Sequence, residues 1–299
     1  MRETRFRSVI ALWAASLLPL AAFAADENFE RTVEATADGE VVISNVSGTI
    51  DVRGWDRNEV HVSGELGSGV ERVDVTSSGG RTTVKVILPR GSNHDSSADL
   101  EIQVPKMSSV EVSAVSADVS TRGVQGTQRL KSVSGEITAD IAGDDSDLRS
   151  VSGDVTLRGS GKPLRLRVSS VSGNLDLSNA AGKLELVTVS GDARVQMTEA
   201  SEIRGKTTSG SLNLRARLTQ DARVDAEAVS GDLTLHLSAP GGVSAEVETF
   251  SGDIEGCLAK DVKRASEYGP GKRLTVRTVE EGARVRAKTL SGDVEICDK

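Results

Sequence analysis

The chain has 299 residues, of which 37% are hydrophobic, 27% charged and only 2% aromatic. That composition is globular, but any core must be built from Val, Leu, Ile and Ala. A formal net charge of −8 argues against binding a nucleic-acid backbone, which requires clustered Lys and Arg.

The chain opens with "MRETRFRSVIALWAASLLPLAAFAADE". Arg2, Arg5 and Arg7 precede an apolar run from Val9 to Leu20, and Ala22 and Ala24 stand where a small-residue cleavage rule requires them. Residues 1–24 therefore read as a cleavable secretory signal. The apolar run is short for a membrane span of roughly 20 residues, and no Cys follows it to carry a lipid. No second long apolar segment follows, so the expected product is periplasmic or secreted, with no membrane span after cleavage.

Residues 25–110 read as strands joined by turns, in "GTIDVRGWDRNEVHVSGELG", "RTTVKVILPR" and "ADLEIQVP". They form an irregular N-terminal opening that would cover the free strand edge of whatever follows. Trp55, in "RGWDRNEV", reads as a packed turn residue rather than a sugar platform.

Residues 111–256 carry a repeat. Ser-Gly, or once Ser-Ala, recurs at Ser116, Ser134, Ser152, Ser172, Ser190, Ser209, Ser230 and Ser251, at intervals of 18 to 21 residues; further copies stand at Ser47 and Ser291. Such a period implies stacked supersecondary units. Each unit reads as a strand ("LRLRVSSV", "LELVTV"), a Ser-Gly corner, a second strand ("DVTL", "NLDL", "DLTL") and a turn ("RGSGKP", "SNAAGK", "LSAPGG"). An antiparallel meander and a parallel solenoid both accommodate two strands per unit. Phase favours the solenoid: Val155 and Leu157, Leu175 and Leu177, Leu212 and Leu214, Leu233 and Leu235, and Val294 and Ile296 hold equivalent places. Stacked at roughly 4.8 Å they make continuous aliphatic ladders. The expected fold is all-β, a single-domain parallel β-solenoid (β-helix).

The repeated glycines are Gly135, Gly153, Gly173, Gly191, Gly210, Gly231, Gly252 and Gly292. A sharp corner predicts a positive φ at them, the conformation glycine adopts freely. Ser150, Ser170, Thr188 and Thr249 form a possible inner hydroxyl ladder. Their facing is left open, because the two strand alternations conflict across the corner. Asp154, Asp192, Asp232, Asp253 and Asp293 follow the glycine, with Glu136, Asn174 and Ser211 in other copies. Stacked carboxylates are one way to hold Ca²⁺, but the interrupted column and the absence of a calcium-repeat glycine pattern favour plain turn residues.

The remaining chemistry is sparse. His61, His94 and His236 lack metal-ligand spacing, and the polar loop around His94 and Asp95 offers no second His or Cys. No GxSxG elbow occurs. "GSGK" at 159–162 and "GPGK" at 269–272 lack the spacing of a phosphate loop and read as turns. Beyond the signal the aromatic residues are Phe29, Trp55, Phe250 and Tyr268, too few for the stacking platforms of a glycan-cleaving groove. No catalytic residue, cofactor or metal is expected.

Residues 257–299 read as a modified final repeat serving as a cap. Cys257 and Cys297 each stand six residues after a repeat serine, and an oxidising compartment favours their pairing as a disulfide. The spacing raises an objection. One ordinary coil between them sets the two residues roughly 9–10 Å apart, beyond the reach of a disulfide, about 7 Å between Cα atoms. Pairing requires 272–288 to fold out as a hairpin.

The leader, "VSGTIDVRGWDRNEVHVSGEL", the "VSGD" ladder and "SEYGPGKRLTVRT…ARVRAKTLSGDVEIC" resemble the bacterial "putative adhesin" family over residues 28–297. The resemblance implies a β-helical cell-envelope domain, a right-handed coil and no catalytic residues to carry over. The expected function is a non-enzymatic envelope scaffold or interaction surface, adhesin-like, with an envelope protein or glycan as partner. A carbohydrate-active β-helix enzyme and a cation-stabilised adhesive module are the alternatives.

Overall fold

Strict alternation of aliphatic and polar residues is what a strand buried on one face requires, and it is observed along almost every strand of the computed structural model. The structure describes residues 27–89, 96–265, 269–277 and 282–298; the signal at 1–24 and the His94–Asp95 loop lie outside them. Among the described residues, twenty-two strands join in one sheet, and the long central run of pairings is parallel. The strands Gln128–Ser132 and Ile137–Ile141 form one coil about a corner. On that coil stack Asp145–Ser150 and Val155–Gly159. Val155 lies beside Ile137 on one side and Leu175 on the other, and Leu157 lies between Ala139 and Leu177. These residues are at most 1% exposed. Aliphatic ladders thus fill the inside of each coil, and burying one such side chain contributes about 1.5–3 kcal/mol.

Stacking order departs from chain order at both ends. Near the N-terminus, Glu40–Trp55 lies between Ser109–Arg122 and the pair Arg81–Ile87 and Ser97–Pro105. Antiparallel strands then close that end, Glu59–Leu66 on Ser97–Pro105, Glu27–Glu34 on Glu59–Leu66, and Arg72–Ser78 on Arg81–Ile87. The expectation that this region covers an open edge agrees with that arrangement.

At the other end, the last strands, Ala283–Ser291 and Val294–Cys297, insert between two earlier coils. They pair with Leu212–Ser230 and Leu233–Ser238 on one side. On the other side they pair with Val243–Ser251 and Ile254–Glu255. The hairpin expected over 272–288 is not formed. Lys272–Arg277 runs antiparallel on the outer side of Val243–Ser251, so that strand separates the two arms the hairpin would have joined. Both arms pair with Val243–Ser251 instead of with each other.

The outward charges fit this order. One column reads, in stacking order, Glu111, Arg129, Asp147, Arg167, Glu185, Arg204, Asp225, Arg286 and Glu246. Its sign alternates at every step, and opposite charges on adjacent strands are favourable. A second column ends Lys206, Glu227, Lys288, Glu248, with Lys206–Glu227 at 3.0 Å and Lys288–Glu248 at 2.7 Å. Lys288 and Arg273 hold the Glu248 carboxyl below its usual pKa, and Arg149 does the same to Asp147.

Candidate functional site: the Ser-Gly corner

Each corner is built from five consecutive residues whose burial runs in, out, out, in, out; in one coil these are Ser150, Val151, Ser152, Gly153 and Asp154. Two successive outward residues break the period of two, so the strands before and after are out of phase. This slip explains the conflict of alternations, and it decides the facing of the hydroxyls: they point inward. Ser132 pairs with Ser150, Ser170 with Thr188, and Thr188 with Thr207. All are at most 5% exposed, as Thr249 is. Each hydroxyl bonds the backbone of the glycine three residues on or of its neighbour in the stack. Ser150 Oγ donates to Gly153 O at 2.6 Å and Thr207 Oγ1 to Gly210 O at 2.9 Å. Ser170 Oγ accepts from Gly173 N at 2.9 Å, and Thr249 Oγ1 donates to Gly292 O at 3.0 Å. The buried polar groups at the bend are thereby satisfied.

The glycines require a correction. Gly252 and Gly292 take φ of 156° and 151°, but Gly135, Gly153, Gly173, Gly191, Gly210 and Gly231 do not have positive φ. What they require is room. A Cβ on Gly173 would stand 2.0 Å from Gly153 O, and the same 2.0 Å recurs for Gly153 against Gly135 O and for Gly191 against Gly173 O. Each glycine lets the backbone of the next coil close over it, the second of the two uses to which glycine is put.

The acidic column has a structural task. Asp154 Oδ1 accepts the backbone N–H of Asn174 at 2.7 Å; Asn174 Oδ1 accepts that of Asp192 at 3.2 Å, and Asp192 Oδ1 that of Ser211 at 2.8 Å. Asp118 serves Glu136, Asp232 serves Asp293, and Asp293 serves Asp253. The side chain of one coil bonds the same position of its neighbour. Asn replaces Asp at residue 174 without loss because only an acceptor oxygen is required. Among the described residues, no group of three or more His, Cys, Asp or Glu is arranged to hold a metal ion.

Sequence reasoning missed the ridge. The residue before each repeat serine is one of the two outward ones. Stacked on one another along the coils lie Val46, Val115, Val133, Val151, Val171 and Val189, then Thr208, Val229, Leu290 and Phe250. The apolar members are 39–55% exposed, with Leu290 and Phe250 the most open. Backbone bonds from five successive serines, Ser134 to Ser209, to the preceding coil's Val keep the ridge in line, as from Ser152 N to Val133 O and Ser172 N to Val151 O, both 2.8 Å. The available signal was the order of hydroxyl, apolar residue and serine, which recurs at 132–134, 150–152, 170–172, 188–190, 249–251 and 289–291. Once the hydroxyl is buried, the apolar residue after it has to face out.

Other candidates are quiet. Trp55 donates to Glu59 O at 2.9 Å and lies under the Arg57 guanidinium, a packed turn residue as expected. His61 Nδ1 bonds Thr32 Oγ1 at 2.9 Å, and His236 lies 3.9 Å from Glu295. In "GSGK", Gly161 takes φ of 75° in a turn. Cys257 and Cys297 are free thiols in the structure, so the expected disulfide is not formed there. They are nonetheless neighbours, Cys257 N–H donating to Cys297 Sγ at 3.0 Å. The insertion of the last strands, not a hairpin, removes the intervening layer. Burial and Cys297 push the Cys257 thiol above its usual pKa. No helix among the described residues is long and apolar enough to cross a membrane.

Several solved structures share this architecture. A "putative adhesin" from Parabacteroides distasonis is 12% identical with a TM-score of 0.53, covering 91% of this chain and 98% of its own. A "putative lipid binding protein" from the same organism has 12% identity, a TM-score of 0.50 and coverage of 90% and 97%. A "putative adhesin" from Parabacteroides merdae has 11% identity, a TM-score of 0.50 and coverage of 91% and 100%. At such identities the likeness is one of fold. No curated protein matches the chain. The Toastrack DUF4097 family model matches residues 32–297, which takes in every corner and the whole ridge, and the chain belongs to that family.

Proposed function

We propose that the chain is a non-enzymatic, exported envelope protein that works as an adhesin-like interaction scaffold on a right-handed β-solenoid, with the corner ridge as its contact face. The observation that carries this reading is the ridge itself. Nine half-exposed apolar side chains in line make a patch larger than most monomers leave in water. The corner leaves its polar groups to structure, since the hydroxyls bond the corner backbone and the acids bond the neighbouring coil. Contact is what remains for the ridge to provide. The names of the adhesin-like neighbours favour the same reading, and the right-handed coil agrees with the usual hand of parallel crossover connections.

Export follows from the leader at 1–24. In an oxidising compartment Cys257 and Cys297 lose two electrons and two protons to a disulfide-bearing oxidant, which is reduced to two thiols, and the bond staples the inserted last coil to its neighbour. Alkylation of unreduced protein followed by peptide mass spectrometry is expected to find the joined peptides; two alkylated cysteines in exported protein would remove the staple.

The scaffold reading is tested by placing a photo-crosslinking residue at Val171 on the ridge or at Thr156 on the outer face of a strand, both exposed. Cells are expected to yield discrete adducts from position 171 and few from 156. Equal adduct patterns from both would overturn the ridge as a contact face.

A further inference from the structure

We propose that the occupant of the ridge is a second copy of this chain, packed ridge to ridge about a two-fold axis parallel to the solenoid. This rests on the reading above that the ridge is a contact face, and names its partner.

The first argument is pitch. The ridge places an apolar side chain at every coil but that of Thr208, so its repeat is the strand spacing, roughly 4.8 Å. A globular surface matches that spacing over one or two residues. A second copy matches it from Val46 to Phe250, which lets each side chain meet its counterpart throughout. Two-fold pairs use the same patch on both partners, which is what a uniform ladder offers.

The second argument is area. With nine apolar side chains 39–55% exposed, the ridge offers about 600–700 Å² per copy, so a pair covers on the order of 1,300 Å², within the range of stable specific interfaces.

The third is charge, which sets direction. On one flank of the ridge runs the acidic column, including Glu136, Asp154 and Asp192, all exposed. A two-fold axis across the ridge would set one acidic column against the other, and like charges directly opposite are destabilising. A two-fold axis along the ridge sends the two columns to opposite outer flanks. The same column disfavours an anionic lipid surface as the occupant.

Sedimentation velocity of the purified chain is the test. The expected result is a concentration-dependent dimer that the double variant Val151→Lys/Val171→Lys returns to monomer. Its thermal midpoint should match that of the parent at concentrations where the parent is monomeric, since both side chains face water in the single chain and only the dimer's contribution is lost. Direction is read in a Cys257→Ser/Cys297→Ser background with oxidised glutathione. Val133→Cys should crosslink to itself, and a mixture of Val133→Cys with Val229→Cys should give no mixed pair. A chain that stays monomeric, or a dimer that survives the lysines, overturns the proposal, and mixed pairs overturn the parallel arrangement. Phosphatidylglycerol vesicles separate the two levels of the argument. A monomer that binds them, and loses binding in the lysine variant, removes the second copy but keeps the contact face. A monomer that binds nothing, with no ridge-specific adducts in cells, removes both.

Discussion

Replacing Gly173 by Ala separates two explanations of the repeated glycine by the sign of the effect. Gly173 does not have positive φ, so a purely conformational account expects Ala to stabilise by about 0.4–1 kcal/mol through a less flexible unfolded chain. The packing account expects the reverse. The new Cβ would lie 2.0 Å from Gly153 O and 2.6 Å from its carbonyl carbon. An ordinary contact is about 3.5–4.0 Å, so the coils must part by more than 1 Å at the corner. Gly153 O cannot yield alone, because Ser150 Oγ donates to it at 2.6 Å. Overpacking of this kind costs about 1–3 kcal/mol, and more where backbone meets backbone. Guanidinium unfolding followed by far-UV circular dichroism is expected to show a loss of at least about 2 kcal/mol. Gly79→Ala is the complementary control. It has open space around it and φ of 59°, so its cost of about 1 kcal/mol is conformational alone. A Gly173→Ala chain as stable as the parent would refute the packing argument.

The other elements of the corner make smaller predictions. Thr207→Ala removes a buried hydroxyl that both accepts from and donates to Gly210 at 2.9 Å, and should lower stability by about 1–3 kcal/mol; Thr207→Ser should recover most of it in the same unfolding assay. Asp154→Ala removes an acceptor near the surface and should cost about 0.5–1.5 kcal/mol, whereas Asp154→Asn keeps the oxygen and should be close to neutral; equal losses would mean that charge, not the bond, matters there. The carboxyls of Asp147 and Glu248 have folded pKa values below their usual ones. Their contribution is therefore full above the unfolded pKa of about 4 and is lost as pH falls through the folded values. Unfolding midpoints taken downward from pH 6 should hold until about pH 5 and then fall, less steeply in Arg149→Gln. Arg286→Glu puts three like charges together in the column Asp225, Arg286 and Glu246; proteolysis should then release 283–297 first, while Arg286→Lys should behave like the parent.

The coils were legible because aliphatic residues recur in phase: Val155, Leu175 and Leu212 hold one ladder position and are buried as alternation requires. The corner was legible as a corner but not in its mechanism. Nothing in "VSGD" separates a glycine needed for its φ from one needed for a neighbour's carbonyl, because the second need arises only when coils stack. The ridge was hidden for a related reason. Strand alternation run forward from Leu148 and backward from Val155 gives opposite facings between them, and only the observed pair of outward residues, Val151 and Ser152, reconciles the two. The role of Asp154 was likewise invisible, since its partner, the N–H of Asn174, is twenty residues away and is no nearer to it in sequence than any other turn.

The order of the last coils is the part that chain order conceals and charge reveals. Stacked as they are synthesised, the coil of Asp225 and Glu227 would lie against that of Glu246 and Glu248, setting carboxylates side by side in two columns at once. Insertion of the last strands puts Arg286 between Asp225 and Glu246, and Lys288 between Glu227 and Glu248. Each such exposed pair is worth little by itself, about 0.2–1 kcal/mol. The comparison, however, is with like charges in contact rather than with none, and two columns change sign together. The aliphatic ladders do not discriminate in this way, because Ile254 and Val294 are both buried aliphatic residues at the same ladder position and either would fit against Leu233. Hydrophobic burial therefore fixes that a coil belongs there, and the outward charges select which coil it is. The same choice brings Cys257 beside Cys297, so the slot picked by electrostatics is also the one that a disulfide can make permanent.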